Sequence, residues 1–246
     1  MYLNDDGIRL HIELDRPQSR SRCPICLLLH GFTGDMEEPH ILAMRDAFLE
    51  RGIAVLRAEL YGHGASDGAF RDHNLFKWLN NTLTLVDYCR SLDFVTKLLL
   101  CGHSQGGLTA MLAAAMEADR VDGLIPLSPA VMIPEQARSG ILLGVPFDPS
   151  HVPDTLQRED TILGGNYIRV AQTIQVEQAI DRYHGPVLVI HGSGDETVPC
   201  QYGEAAAKRY QNGTFACIPG DTHCYDLHLD QAVEALKAWL SAHFPA

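Results

Sequence analysis

The chain has 246 residues, of which 46% are apolar and 20% charged, and 19 basic against 31 acidic residues leave a net charge of −12. That composition belongs to a folded globular protein of one domain with an insertion, and excludes a disordered, collagen-like or low-complexity chain. A chain this acidic, with no Lys/Arg run, suits neither nucleic acid nor an anionic membrane as partner. In chain order, residues 8–14 (IRLHIEL) alternate and predict an outer strand. Residues 25–30 (ICLLLH) form a continuous apolar run, as a strand buried on both faces requires. A helix is expected near 38–51, with Ile41, Met44 and Phe48 on one face and Gly52 to stop it. Residues 53–60 predict the next strand, and a glycine-rich loop follows at 61–68 (YGHGASDG). Leu75, Leu79, Leu83 and Val86 then mark an amphipathic helix.

Strand 97–101, helix 106–117 and strand 121–128 continue the alternation. It resumes with strand 186–191, a helix at 201–211, strand 213–218 and a helix at 230–242. The rhythm predicts an α/β fold: a mostly parallel central sheet with helices on both faces, built from residues 1–129 and 176–246. Residues 130–175 break it with Pro134, Pro146, Pro149 and Pro153 and with Gly140, Gly144, Gly164 and Gly165. A segment of that length in a compact domain is usually functional. We read it as a small inserted cap over the active end of the sheet.

The longest apolar stretches, 24–29 and 108–116, fall short of the ~20 residues of a membrane span. The acidic N-terminus lacks the apolar centre of a secretory signal. Seven scattered cysteines, an odd number, then read as reduced thiols of a cytoplasmic protein. Cys23 and Cys26 have CxxC spacing, but the pair runs straight into a leucine run and reads as structural.

The sharpest chemical signal is Gly102-His103-Ser104-Gln105-Gly106, a G-x-S-x-G between a strand and a helix. The serine must stand out on a strained turn, and the glycines remove side chains that would collide there. Ser104 is the candidate nucleophile, and a hydroxyl needs a base. In this topology an acid and then a histidine follow the serine. Asp195, after strand 186–191, is the candidate acid, with Glu196 and Asp221 as alternatives. His223, after the last strand, is the candidate base, with His228 as its competitor among twelve histidines. The loop His30-Gly31-Phe32-Thr33-Gly34 follows strand 25–30, and the backbone N–H groups of Phe32 and Gln105 are the candidate oxyanion donors. No glycine-rich phosphate loop is present, and this chemistry calls for no metal or other cofactor.

With these motifs in order along essentially its whole length, the chain resembles an α/β-hydrolase. Residues 147–154 (FDPSHVPD) and 163–172 (LGGNYIRVAQ) of the insert are similar to the cap of bacterial cinnamoyl (feruloyl) esterases. The resemblance implies a serine carboxylesterase that cleaves hydroxycinnamoyl esters through an acyl-enzyme. It implies Ser104, Asp195 and His223 as triad, Phe32 and Gln105 as oxyanion hole, and Tyr167 as a cap contact to the aromatic acid. Gln136 and Leu143 stand where some members carry a carboxylate and an amide, and Glu59 stands where relatives have Asp. The alternatives are an aliphatic esterase, monoacylglycerol lipase or thioesterase with the same triad, or a binding protein on a hydrolase scaffold. The expected partner is a small-molecule ester; a homodimer is left open.

Overall fold

The computed structural model describes residues 1–18, 21–158 and 160–245. Its elements in chain order are β1 (Tyr2–Asp5), β2 (Ile8–Asp15), β3 (Cys23–Leu29), α1 (Pro39–Glu50), β4 (Ala54–Ala58), α2 (Leu75–Ser91), β5 (Val95–His103), α3 (Gln105–Met116) and β6 (Gly123–Leu127). There follow α4 (Ile133–Ser139), β7 (Ile141–Leu142), β8 (Val145–Pro146), β9 (Thr155–Arg158), β10 (Thr161–Gly164), α5 (Gly165–Thr173) and α6 (Val176–Arg182). The chain closes with β11 (Val187–Gly192), α7 (Cys200–Arg209), β12 (Gly213–Ile218) and α8 (Leu229–His243).

Eight strands form the main sheet in the order β1-β2-β4-β3-β5-β6-β11-β12. The β1–β2 and β2–β4 pairs are antiparallel, and every pair from β4 to β12 is parallel. Strand periodicity divides the core in two. On β3, Cys23, Ile25, Leu27 and Leu29 face one cluster, while Cys26 and Leu28 face the other. Leu98 and Leu100 alternate with Leu99 and Cys101 on β5 in the same way. One cluster packs under α2, α3, α6 and α7, the other under α1 and α8, so the expected layered α/β body is present.

Most expected elements appear within two residues of their places. On α2 the buried stripe is Leu75, Trp78, Asn81, Thr82, Leu85, Val86 and Cys89, while Leu79 and Leu83 are only half-buried. Cys23 and Cys26 are free and buried, as expected of a structural pair. Strand β1 and helix α6 were not anticipated: both are short, and a four- or seven-residue element carries little periodicity. Glu59 has a local reason to be there. Its carboxylate accepts from Ala65 N–H at 2.6 Å and from His11 Nδ1 at 3.0 Å. It also fills the space under Gly64, whose φ is +51°, where a Cβ would lie 1.9 Å from the carboxyl carbon.

Residues 130–175 hold α4, the β7/β8 and β9/β10 hairpins and α5. Leu142, Leu156, Leu163, Tyr167 and Ile168 join this segment to the larger core cluster. The β7–β8 loop is Leu143-Gly144, with φ of 53° and 80°, which is the two-residue hairpin geometry that matches strand twist.

Candidate active site

Phe32, Ser104, Asp195 and His223 follow β3, β5, β11 and β12, at the carboxyl ends of parallel strands where α/β sheets place their sites. Ser104 adopts φ 54° and ψ −117°, a backbone that side chains rarely adopt. The flanking glycines permit it. A Cβ at Gly102 would come within 2.4 Å of the Gly106 carbonyl oxygen, and one at Gly106 within 2.2 Å of the His30 carbonyl oxygen. The turn is tied down by Ser104 N–H donating to the Leu127 carbonyl at 2.8 Å and Ala130 N–H donating to the Ser104 carbonyl at 3.0 Å.

Asp195 is buried and accepts on both oxygens. Its Oδ2 receives His223 Nδ1–H at 2.7 Å and His191 Nε2–H at 3.0 Å. Its Oδ1 receives the N–H groups of Val198 and Thr197 at 2.8 and 2.9 Å. Burial pushes the carboxyl up, but the bonds from His191 and His223 outweigh it and hold Asp195 well below the usual carboxylate range. The alternatives sit differently. Glu196 is exposed. Asp221 is buried but accepts the N–H groups of Thr222, Leu227 and His228 within its own turn. His228 serves as the residue preceding α8.

Ser104 and His223 open onto one cavity of about 380 Å³, with Phe32, Met132, Ile133 and Leu143 on its apolar side. They share no direct hydrogen bond here; nucleophile–base contacts tighten when substrate is bound. Gln105 opens α3, so its N–H has no carbonyl one turn back along the helix. The Phe32 carbonyl accepts from His63 Nε2 at 2.5 Å, and the Phe32 ring packs against Phe70, His73 and Tyr167. The loop that carries Phe32 is therefore held from both its backbone and its side chain. Glu38 also borders the cavity; burial first, and Asp35 second, push its carboxyl up to about 7.

The three insert residues separate. Leu143 lines the cavity. Gln136 does not: its side-chain oxygen accepts Leu143 N–H at 3.2 Å and so supports the hairpin turn. Tyr167 is fully buried behind Phe32 and donates its hydroxyl to Gln105 Oε1 at 2.6 Å. His191 is the residue whose role sequence reasoning missed, since as a strand-end histidine preceding Asp195 it is set aside only as a base. It is the penultimate residue of β11, and its Nε2–H is shared between Asp195 and the Val198 carbonyl at 2.9 Å. A Cβ at Gly203 would lie 2.2 Å from its other ring nitrogen, so α7 needs glycine there to admit the ring. The one sequence signal was a histidine four residues before an aspartate at a strand end.

Est1E from Butyrivibrio proteoclasticus, solved with ferulic acid bound, is 54% identical; the match covers 100% of both chains with a TM-score of 0.98. Mouse alpha/beta hydrolase domain-containing protein 10 shares the fold, with a TM-score of 0.77 at 18% identity over 98% of each chain. Human protein ABHD12B is 25% identical over 200 residues, 77% of this chain and 51% of its own length. The chain thus spans about half the length of that curated relative. No helix among the described residues is long and apolar enough to cross a membrane. Residues 20–161 match the Hydrolase_4 family model, described as serine aminopeptidase, S33. With that match, the α/β-hydrolase strand order and the serine turn at the carboxyl end of β5, the chain belongs to the Hydrolase_4 family of α/β-hydrolases.

Proposed function

We propose that this protein is a serine carboxylesterase that hydrolyses feruloyl-type esters, with Ser104, His223 and Asp195 as its triad. The observation that carries the reading is the 54% identity, over the full length of both chains, to Est1E with ferulic acid bound. The site supplies matching chemistry. Ser104 Oγ attacks the ester carbonyl while His223 Nε2 takes its proton, and Asp195 holds Nδ1–H and stabilises the imidazolium. The N–H groups of Phe32 and Gln105 receive the oxyanion. His223 returns the proton to the leaving alcohol, and the acyl group stays on Ser104. A water molecule, deprotonated by His223, then releases the acid and restores the serine. A cavity of about 380 Å³ lies within the size range of small-molecule sites and suits a flat acyl group.

The segment 130–175 acts in this reading as a cap, supplying Met132, Ile133 and Leu143 to the acyl side of the cavity. Tyr167 acts through Gln105 and Phe32 rather than on the ring of the substrate. Tyr167→Phe removes a buried hydrogen bond at the residue that carries an oxyanion donor. It is expected to cost about 1–3 kcal/mol in stability and to lower kcat/KM for aromatic and acetyl esters by the same factor. Thermal denaturation and a two-ester comparison measure both; a loss confined to aromatic esters would put the ring in the acyl pocket. Seven free thiols accord with a reducing, cytoplasmic setting.

A paired assay tests the function. Methyl ferulate is expected to show a kcat/KM at least tenfold above a medium-chain p-nitrophenyl ester. The reverse order would move the enzyme to aliphatic esters, and turnover of an aminoacyl anilide alone would make it a peptidase. No turnover of any of them would leave a binding protein.

A further inference from the structure

Beside the triad lies a cluster that the esterase chemistry does not use. His40 comes from α1, His103 from the end of β5, and Cys224 from the position after His223. Each offers one ligand atom, and the three atoms lie within 4.8 Å of one another. His40 Nε2 and His103 Nδ1 are buried without any hydrogen-bond partner among the described residues, in side chains only 2% and 3% exposed. Glu38 Oε2 is a third such atom, 3.9 Å from His40 Nε2. Two orphaned ring nitrogens beside a thiol are rare in a core and call for an explanation.

The tautomer of His103 adds to the case. Its Nε2–H donates to the His223 carbonyl at 2.9 Å, so Nδ1 carries a bare lone pair aimed into the cluster. A ring with one nitrogen on a backbone carbonyl and the other free is how histidine is held as a metal ligand. Two imidazoles, a thiol and a carboxylate form a borderline-soft set that suits zinc and excludes magnesium or calcium. His103 and Glu38 border the same cavity as Ser104, as does Cys224, so an ion reaches the cluster through the mouth that admits the ester.

We propose that His40, His103 and Cys224 bind Zn²⁺, with the Glu38 carboxylate turning in beside His40 as fourth ligand, and that the bound ion inhibits the enzyme. On binding, the S–H bond of Cys224 breaks, its proton goes to solvent and a sulfur–zinc bond forms, with no change of oxidation state. Tetrahedral zinc with bonds of about 2.1 Å to nitrogen and 2.3 Å to sulfur holds its ligand atoms about 3.3–3.7 Å apart. The separations among His40, His103 and Cys224, which reach at most 4.8 Å, must therefore close by up to about 1 Å. Two of the three ligands are tied to His223, so closing the cluster pulls on it: His103 bonds its carbonyl and Cys224 follows it in the chain. A misplacement of about 1 Å at a catalytic group costs on the order of 100-fold in rate.

The inhibitory half of this proposal rests on the triad reading, whereas metal binding does not. Reduced protein, freed of metal in a non-chelating phosphine reductant, is titrated with Co²⁺. One equivalent is expected to give tetrahedral d–d absorption and a thiolate-to-cobalt charge-transfer band, both displaced by Zn²⁺. Cys224→Ser should remove the charge-transfer band, and His40→Gln should weaken binding at least tenfold. Zn²⁺ is expected to lower kcat of the wild type at least tenfold, reversibly with EDTA. Each variant, compared with its own metal-free rate, should lose that sensitivity. No charge-transfer band, or one that survives Cys224→Ser, overturns the site. Inhibition that persists in both variants overturns its role. If no ester is turned over, the Co²⁺ titration still decides the site, and it is the esterase reading that falls.

Discussion

Ser104→Ala is expected to lower ester hydrolysis by about 10⁶-fold, the loss typical when a serine hydrolase is deprived of its nucleophile. The size follows from how the reaction is divided. Without Oγ there is no acyl-enzyme, and only the oxyanion donors and the binding cavity remain to assist direct attack by water. The fold should survive. The residue already holds φ 54° because Gly102, Gly106 and the bonds at Leu127 and Ala130 impose that turn, and alanine differs only by losing the hydroxyl. Matching circular dichroism and melting curves would establish that. Hydrolysis within 100-fold of the wild type, with the fold intact, would remove Ser104 from the mechanism.

Asp195→Asn is expected to cost about 10⁴-fold in kcat through control of the tautomer. The neighbours dictate how the new amide sits. Oδ1 receives the N–H groups of Thr197 and Val198, so the amide oxygen stays there and the NH₂ turns to His223 and His191. An NH₂ donor at His223 Nδ1 forces the proton onto Nε2, the atom that must accept from Ser104. The same NH₂ meets the N–H of His191, which leaves two donors facing each other in a buried place. The variant should therefore also melt at a lower temperature at neutral pH. The folded state holds the Asp195 carboxyl below its ordinary value, so its stabilisation is present above the unfolded carboxylate pKa and fades as pH falls toward the folded one. The gap in melting temperature between wild type and variant should narrow on acidification. A rate within tenfold of the wild type would transfer the acid's role to another residue.

The candidate site was legible in unequal parts. Ser104 was clear because its signal is steric and local: two glycines fixed by spacing around a serine, between a strand and a helix. Asp195 and His223 followed from chain order, because a parallel sheet delivers successive strand ends to one edge. Leu143 faces the cavity, but Gln136 and Tyr167 do not, and nothing within their local sequence distinguishes a cavity wall from the layer behind it. Tyr167 is turned away by a partner 62 positions distant in the chain. The role of His191 was not legible for a similar reason: its value lies in a bond to Asp195 that exists only once the turn after β11 closes.

Length, periodicity and glycine placement thus determined the α/β body, the serine turn and the order in which the candidate acid and base arrive. These depend on contacts between residues near in sequence, or on the two-residue and 3.6-residue repeats that set which face is buried. The tertiary structure alone decided which side chains line the cavity and which support it, that two imidazoles share Asp195, and that His40, His103 and Cys224 converge. Those outcomes join residues far apart in the chain, where the packing of whole elements sets the distances and no local pattern encodes them.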